Sequence, residues 1–98
     1  MELITRGDAA LADEFLRALI DEATGTIERL RSTISANEPV AVVDLAHSLK
    51  GMATELGALR LRAAAAALEA EAKPERWGGH LDGAITALAE LRSLASGR

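Results

Sequence analysis

Residues 39–57 read PVAVVDLAHSLKGMATELG, and the spacing of their apolar side chains decides the fold. Val42, Leu45, Leu49, Met52 and Leu56 recur at steps of three and four, the period of one helix face. Asn37-Glu38-Pro39 is a turn signal: a residue before proline avoids the helical region, and proline suits a first helical turn. Gly57 is placed to close the helix. On a wheel of about 100° per residue with His47 at zero, Leu45, Leu49, Met52 and Leu56 fall at roughly 140–200°, facing a core. His47 then points away from that core, together with Val40, Val43, Asp44, Lys50, Gly51 and Thr54.

The same period extends in both directions. Upstream, after Asp8 as an N-cap, Leu11, Phe15, Leu19, Ile20, Ala23, Ile27, Leu30 and Ile34 form one apolar stripe. Gly25, between Thr24 and Thr26, weakens this helix by about 1 kcal/mol relative to Ala without ending it. Downstream, Leu61, Ala65, Leu68 and Ala72 mark a third helix that stops before Pro74, and its five-alanine run suits close packing. Trp77-Gly78-Gly79 reads as a loop, and Leu81, Ala84, Ile85, Leu88, Leu91 and Ala95 mark a last helix. The predicted helices cover residues 9–36, 39–57, 59–73 and 80–96 of a single domain, 1–98. With no alternating run to support a strand, the fold class is all-α. Short connections make it an up-and-down antiparallel four-helix bundle.

Composition narrows the function. The 98 residues are 49% hydrophobic but only 2% aromatic, so the core is built from Leu, Ile, Val and Ala. A net charge of -4 with interspersed signs offers no clustered basic face, which argues against a nucleic-acid partner. With no cysteine there is neither a disulfide framework nor a thiolate metal site. The start Met1-Glu2-Leu3-Ile4-Thr5-Arg6 lacks the form of a secretory signal, and no stretch reaches the roughly 20 apolar residues of a spanning helix. No membrane association is expected, and the cytoplasm is the default compartment.

Three choices between residues 46 and 57 are not explained by helix building. An exposed histidine, His47, is one; neutral imidazole is a competent nucleophile. Gly51 lies one turn on, on the same face, where glycine costs the helix about 1 kcal/mol relative to Ala and clears an approach to His47. Lys50, at i+3 from His47, carries a flexible ammonium that can reach a phosphoryl group on the ring. Asp44, three residues before His47 on the same face, is within reach to orient the ring, though an exposed helical carboxylate is more often simply solvated.

His47-Ser48-Leu49-Lys50-Gly51 followed by Gly57 resembles the His-x-x-Lys-Gly-x-x-x-x-x-Gly signature of histidine-containing phosphotransfer (HPt) domains. The order of helices resembles that family across nearly the whole chain. The resemblance implies that His47 is phosphorylated on the ring nitrogen farther from the backbone. It implies further that Lys50 neutralises phosphoryl charge, Gly51 clears the approach and Gly57 serves the helix end. Val43, Asp44, Gly51 and Thr54 would line the docking face. The implied partners are the receiver domain of a response regulator, which supplies an aspartate and a magnesium ion, and an upstream histidine kinase. The chain itself would bind no cofactor and act as a monomeric phosphohistidine carrier. Met52 and Ala53 depart from the small polar residues often found after the glycine.

Other readings fit less well. A histidine-kinase dimerisation domain usually has an acidic residue after its histidine, where Ser48 stands here, and no phosphate-binding glycine loop marks an ATP site. The phosphotransfer domain of chemotaxis kinases is similar but belongs to longer chains. Asp44-x-x-His47 resembles the carboxylate-histidine pairs of di-iron bundles, but those point inward and come in twos, so no metal site is expected. His80, after the Gly-Gly pair, is expected to be solvated. The remaining alternative is a helical adaptor that binds a signalling partner without transferring anything.

Overall fold

Leu19, Ile20, Ala23, Ile27 and Leu30 are buried along one side of a single helix, α1 (Glu2–Ser35). The computed structural model describes residues 2–96, and side chains from 13 to 95. Three further helices follow: α2 (Pro39–Leu56), α3 (Leu59–Ala70) and, after a 3₁₀ turn at Pro74–Arg76, α4 (Trp77–Ser96). Each helix packs on the next and α4 packs back on α1, which closes a four-helix bundle. Arg60 near the start of α3 meets Glu90 late in α4, while His80 early in α4 meets Glu71 just past the end of α3, so the two run antiparallel.

The two tight turns have the same construction. Asn37 takes a φ of 55°, and the Asn37 and Glu38 N–H groups donate to Ile34 and Thr33 carbonyls. Gly57 takes a φ of 67°, with the Gly57 and Ala58 N–H groups donating to Thr54 and Ala53. Asn and Gly are the residues that adopt this left-handed backbone at least cost, and both patterns satisfy carbonyls that a helix end leaves open. Gly25 does not interrupt α1, where the hydroxyls of Thr24 and Thr26 donate to the Ile20 and Glu22 carbonyls one turn back.

Several boundaries differ from the sequence expectation. α1 does not start at Asp8 but runs back through it to Glu2, because nothing from Glu2 to Gly7 breaks a helix; Gly7 alone costs about 1 kcal/mol. α3 ends at Ala70, short of residue 73, because Glu71 turns to an extended backbone and its carboxylate accepts the Lys73 N–H; Ala72 lies outside the helix and is exposed. α4 begins at Trp77, so Trp77-Gly78-Gly79 is its first turn and not a loop. Burying the Trp77 ring at about 25 cal/mol per Å² contributes about 4–6 kcal/mol, which offsets the roughly 2 kcal/mol that two helical glycines cost and the about 1–3 kcal/mol of an indole N–H buried without a partner among the described residues.

The core also differs in two places. Phe15, expected on the buried stripe, is 58% exposed. The 34 residues of α1 far exceed the 18 of α2 and the 20 of α4, the helices packed against it, so its N-terminal part outruns them. Leu11, expected on the same stripe, lies outside the residues whose side chains are described. On α2 the buried line is Val42, Ala46, Leu49 and Ala53, while Leu45, Met52 and Leu56 are half-buried. The core face is therefore turned by about 60° toward the alanines. Ala46 and Ala53 alternate with Val42 and Leu49 along the buried line, and Leu45, Met52 and Leu56 fill one flank. Lys50 then lies only about 70° from the centre of the buried face, on the border with α3.

Candidate functional site

His47 projects from the middle of α2 with its side chain 70% exposed. It is not free to rotate. Its Nδ1 lies 2.9 Å from Oε2 of Glu69 on α3, and the other oxygen of the same carboxylate, Oε1, lies 2.7 Å from Lys50 Nζ. Leu68 anchors this turn of α3 in the core, which holds the adjacent Glu69 half-buried at the helix border. One carboxylate thus fixes both the imidazole and the ammonium, each from its own oxygen. The bond from Lys50 and then that from His47 hold the Glu69 carboxyl below its usual range, so it is ionised at neutral pH. An ionised carboxylate only accepts hydrogen bonds. Nδ1 must then carry the proton, and the lone pair of the neutral ring is on Nε2, the nitrogen left without a partner among the described residues.

The other residues expected around His47 share its face but have different surroundings. Gly51 is exposed, and a Cβ there would meet nothing within 4 Å, so this fold places no demand for glycine at that position. Val43 and Asp44 are exposed on the preceding turn. Asp44 does not hold the imidazole; Glu69 does. Thr54 is exposed, but its hydroxyl donates back to the Lys50 carbonyl at 2.9 Å. Gly57 lies at the end of α2 in its left-handed turn.

Glu69 was not among the residues singled out in the sequence. The signal that identifies it is its register: it lies about as far after the Gly57-Ala58 turn as His47 lies before it, so an antiparallel α2–α3 pair brings the two level. His80 is not solvated as expected. Its Nε2 lies 2.8 Å from Glu71 Oε1, with the side chains 31% and 15% exposed, because α4 starts three residues earlier than expected and carries His80 against the end of α3. Among the described residues no three His, Cys, Asp or Glu side chains gather as a metal site, and no helix is long and apolar enough to cross a membrane.

A family model, the Hpt domain, matches residues 14–94, from the later part of α1 to the end of α4. The chain belongs to the Hpt domain family. Neither a curated protein nor a solved structure matches it. The helical bundle is the architecture expected of an Hpt domain, a family whose work is histidine phosphotransfer in two-component systems, in contact with response regulators and kinases. In this Hpt domain His47, Lys50 and Glu69 form one hydrogen-bonded cluster on an otherwise open helix face.

Proposed function

We propose that this Hpt domain carries a phosphoryl group on Nε2 of His47, exchanging it with an aspartate of a response-regulator receiver domain. The observation that carries the reading is the Nδ1 contact with Glu69, which leaves the Nε2 lone pair facing solvent. In loading, that lone pair attacks the phosphorus of an aspartyl phosphate. The N–P bond forms as the P–O bond breaks, its electron pair returning to the aspartate carboxylate. The ring becomes cationic, and the Glu69 carboxylate, already accepting the Nδ1 proton, stabilises that charge without rearrangement. The reverse sequence unloads the group.

Lys50 is the mobile partner of the cluster. Its flexible stem lets the ammonium leave Glu69 and meet the phosphoryl oxygens, as a point charge and not a fixed fork. Gly51 leaves room for the partner's loops. The magnesium ion that such transfer uses belongs to the receiver, and the chain acts as a carrier, not as a kinase.

The test is acceptance of phosphate from phosphorylated receiver domains. His47→Gln is expected to abolish acid-labile phosphate while the helices persist, since an exposed side chain leaves no cavity behind. His80→Gln is expected to retain acceptance. Wild-type levels of acid-labile phosphate on His47→Gln would overturn the reading.

A further inference from the structure

Val40 is 76% exposed and Val43 is 39% exposed, two turns and one turn before His47 on the same face of α2. Neither position is explained by folding. Val40 is too open to add much to the core, Val43 leaves more than a third of its surface uncovered, and β-branched side chains are poorer helix formers than Ala, Leu or Lys. Val40 lines a shallow hollow together with Asn37, Glu38, Pro39, Ala41 and Asp44. Glu38 and Asp44 are exposed, and neither forms an ion pair among the described residues. Beyond His47 the same face carries no large apolar side chain, only Gly51, Thr54 and Lys50, which leans to Glu69.

We propose that Val40 and Val43 are the specificity-determining docking residues, and that the N-terminal half of α2 grips the receiver domain while the half beyond His47 stays clear. The proposal rests on His47 being the phosphoacceptor. The occupant it requires is a receiver face that offers an apolar side chain to Val40 and Val43 and a lysine or arginine to Glu38 and Asp44. Apolar side chains packed at the centre of an interface carry most of its affinity, and rim charges mainly set the encounter rate and its salt dependence. The asymmetry also fixes orientation, since a receiver seated on the valines reaches His47 from the N-terminal side of the helix.

The experiment uses the full chain and two phosphodonors. Phosphoramidate, a small donor that needs no docking, reports the chemistry of His47. The protein donor is the receiver domain that, among a panel loaded with acetyl phosphate, transfers fastest to the wild type. Val40→Asp and Val43→Asp are compared with Leu94→Asp, a change at an equally open leucine near the far end of α4, 72% exposed. Circular dichroism and melting temperature check the fold of each. The valine variants are expected to raise the receiver KM by about tenfold or more, with unchanged loading by phosphoramidate. Leu94→Asp is expected to alter neither. For the wild type KM rises with added salt, and Asp44→Asn flattens that dependence.

Valine variants with a wild-type receiver KM overturn the docking surface while leaving His47 in place. Valine variants that lose phosphoramidate loading overturn it too, since the patch would then act on His47 itself. A wild-type chain that neither donor phosphorylates overturns the reading of His47 and the docking proposal with it.

Discussion

Nδ1 of His47 lies 2.9 Å from Oε2 of Glu69, a residue 22 positions later on the adjacent helix. This contact assigns the ring tautomer from outside the helix that bears it. Glu69→Ala is expected to leave the bundle folded and to release the imidazole. Nitrogen-15 spectra of the histidine ring would show the Nδ1-protonated form dominant in the wild type and a mixture in the variant. Transfer from a receiver slows more for Glu69→Ala than for Glu69→Gln, whose amide oxygen still accepts the Nδ1 proton. Identical ring spectra in wild type and Glu69→Ala would remove Glu69 from the account.

Lys50 is expected to matter more for transfer than for stability. Its pair with Glu69 lies at the helix border with the lysine side chain 33% exposed, and exposed pairs contribute about 0–1 kcal/mol. Lys50→Ala therefore slows transfer by a moderate factor with little change in melting temperature. An unchanged rate with a sharply lower melting temperature would make the lysine structural.

At Gly51 stability and function pull in opposite directions. Open space around the missing Cβ lets alanine enter without a clash, and the helix gains about 1 kcal/mol, a rise of about 4–8 °C for a domain of this size. Gly51→Gln should retain the helices yet transfer far more slowly, since its side chain stands beside His47 where the receiver must approach. A glutamine variant that transfers normally would show that the partner does not pass over this position.

The pair His80–Glu71 makes a pH prediction. The bond from His80, with a smaller effect from the Lys73 N–H, holds the Glu71 carboxyl below 4.5. A carboxyl whose folded value is depressed contributes stability above its unfolded value, and that contribution is lost as pH falls through the depressed one. Glu71→Gln should therefore melt below the wild type at pH 7, and the two should converge in acid, once the pH has fallen below the depressed value. Fluorescence of Trp77, the only tryptophan and buried at the start of α4, reports the melt. A gap that persists undiminished in acid would show that the pair does not act through its charge.

The helical period placed His47 on an outer face correctly because that reading needs only one helix. Glu69 was missed for the opposite reason: its role depends on the register of α3 against α2, which the position of the Gly57-Ala58 turn sets and periodicity within either helix does not contain. Phe15 shows the same gap, since an apolar stripe says which side of a helix wants a partner but not whether a partner is long enough to cover it. At Trp77-Gly78-Gly79 local propensity favoured a loop, and burial of the indole overrode it. Asp44 was a reasonable local candidate for orienting His47, and a residue distant in sequence took that place.

The central claim is that the phosphoryl group is carried on Nε2 of His47, the ring nitrogen that Glu69 leaves open. The most direct measurement is nuclear magnetic resonance of the nitrogen-15-labelled protein after loading from a phosphorylated receiver domain, following coupling between phosphorus and the ring nitrogens. The account predicts one phosphohistidine, with phosphorus coupled to Nε2 of His47 and the proton retained on Nδ1. Phosphorus coupled to Nδ1, or bound to His80 or to no histidine, would contradict it.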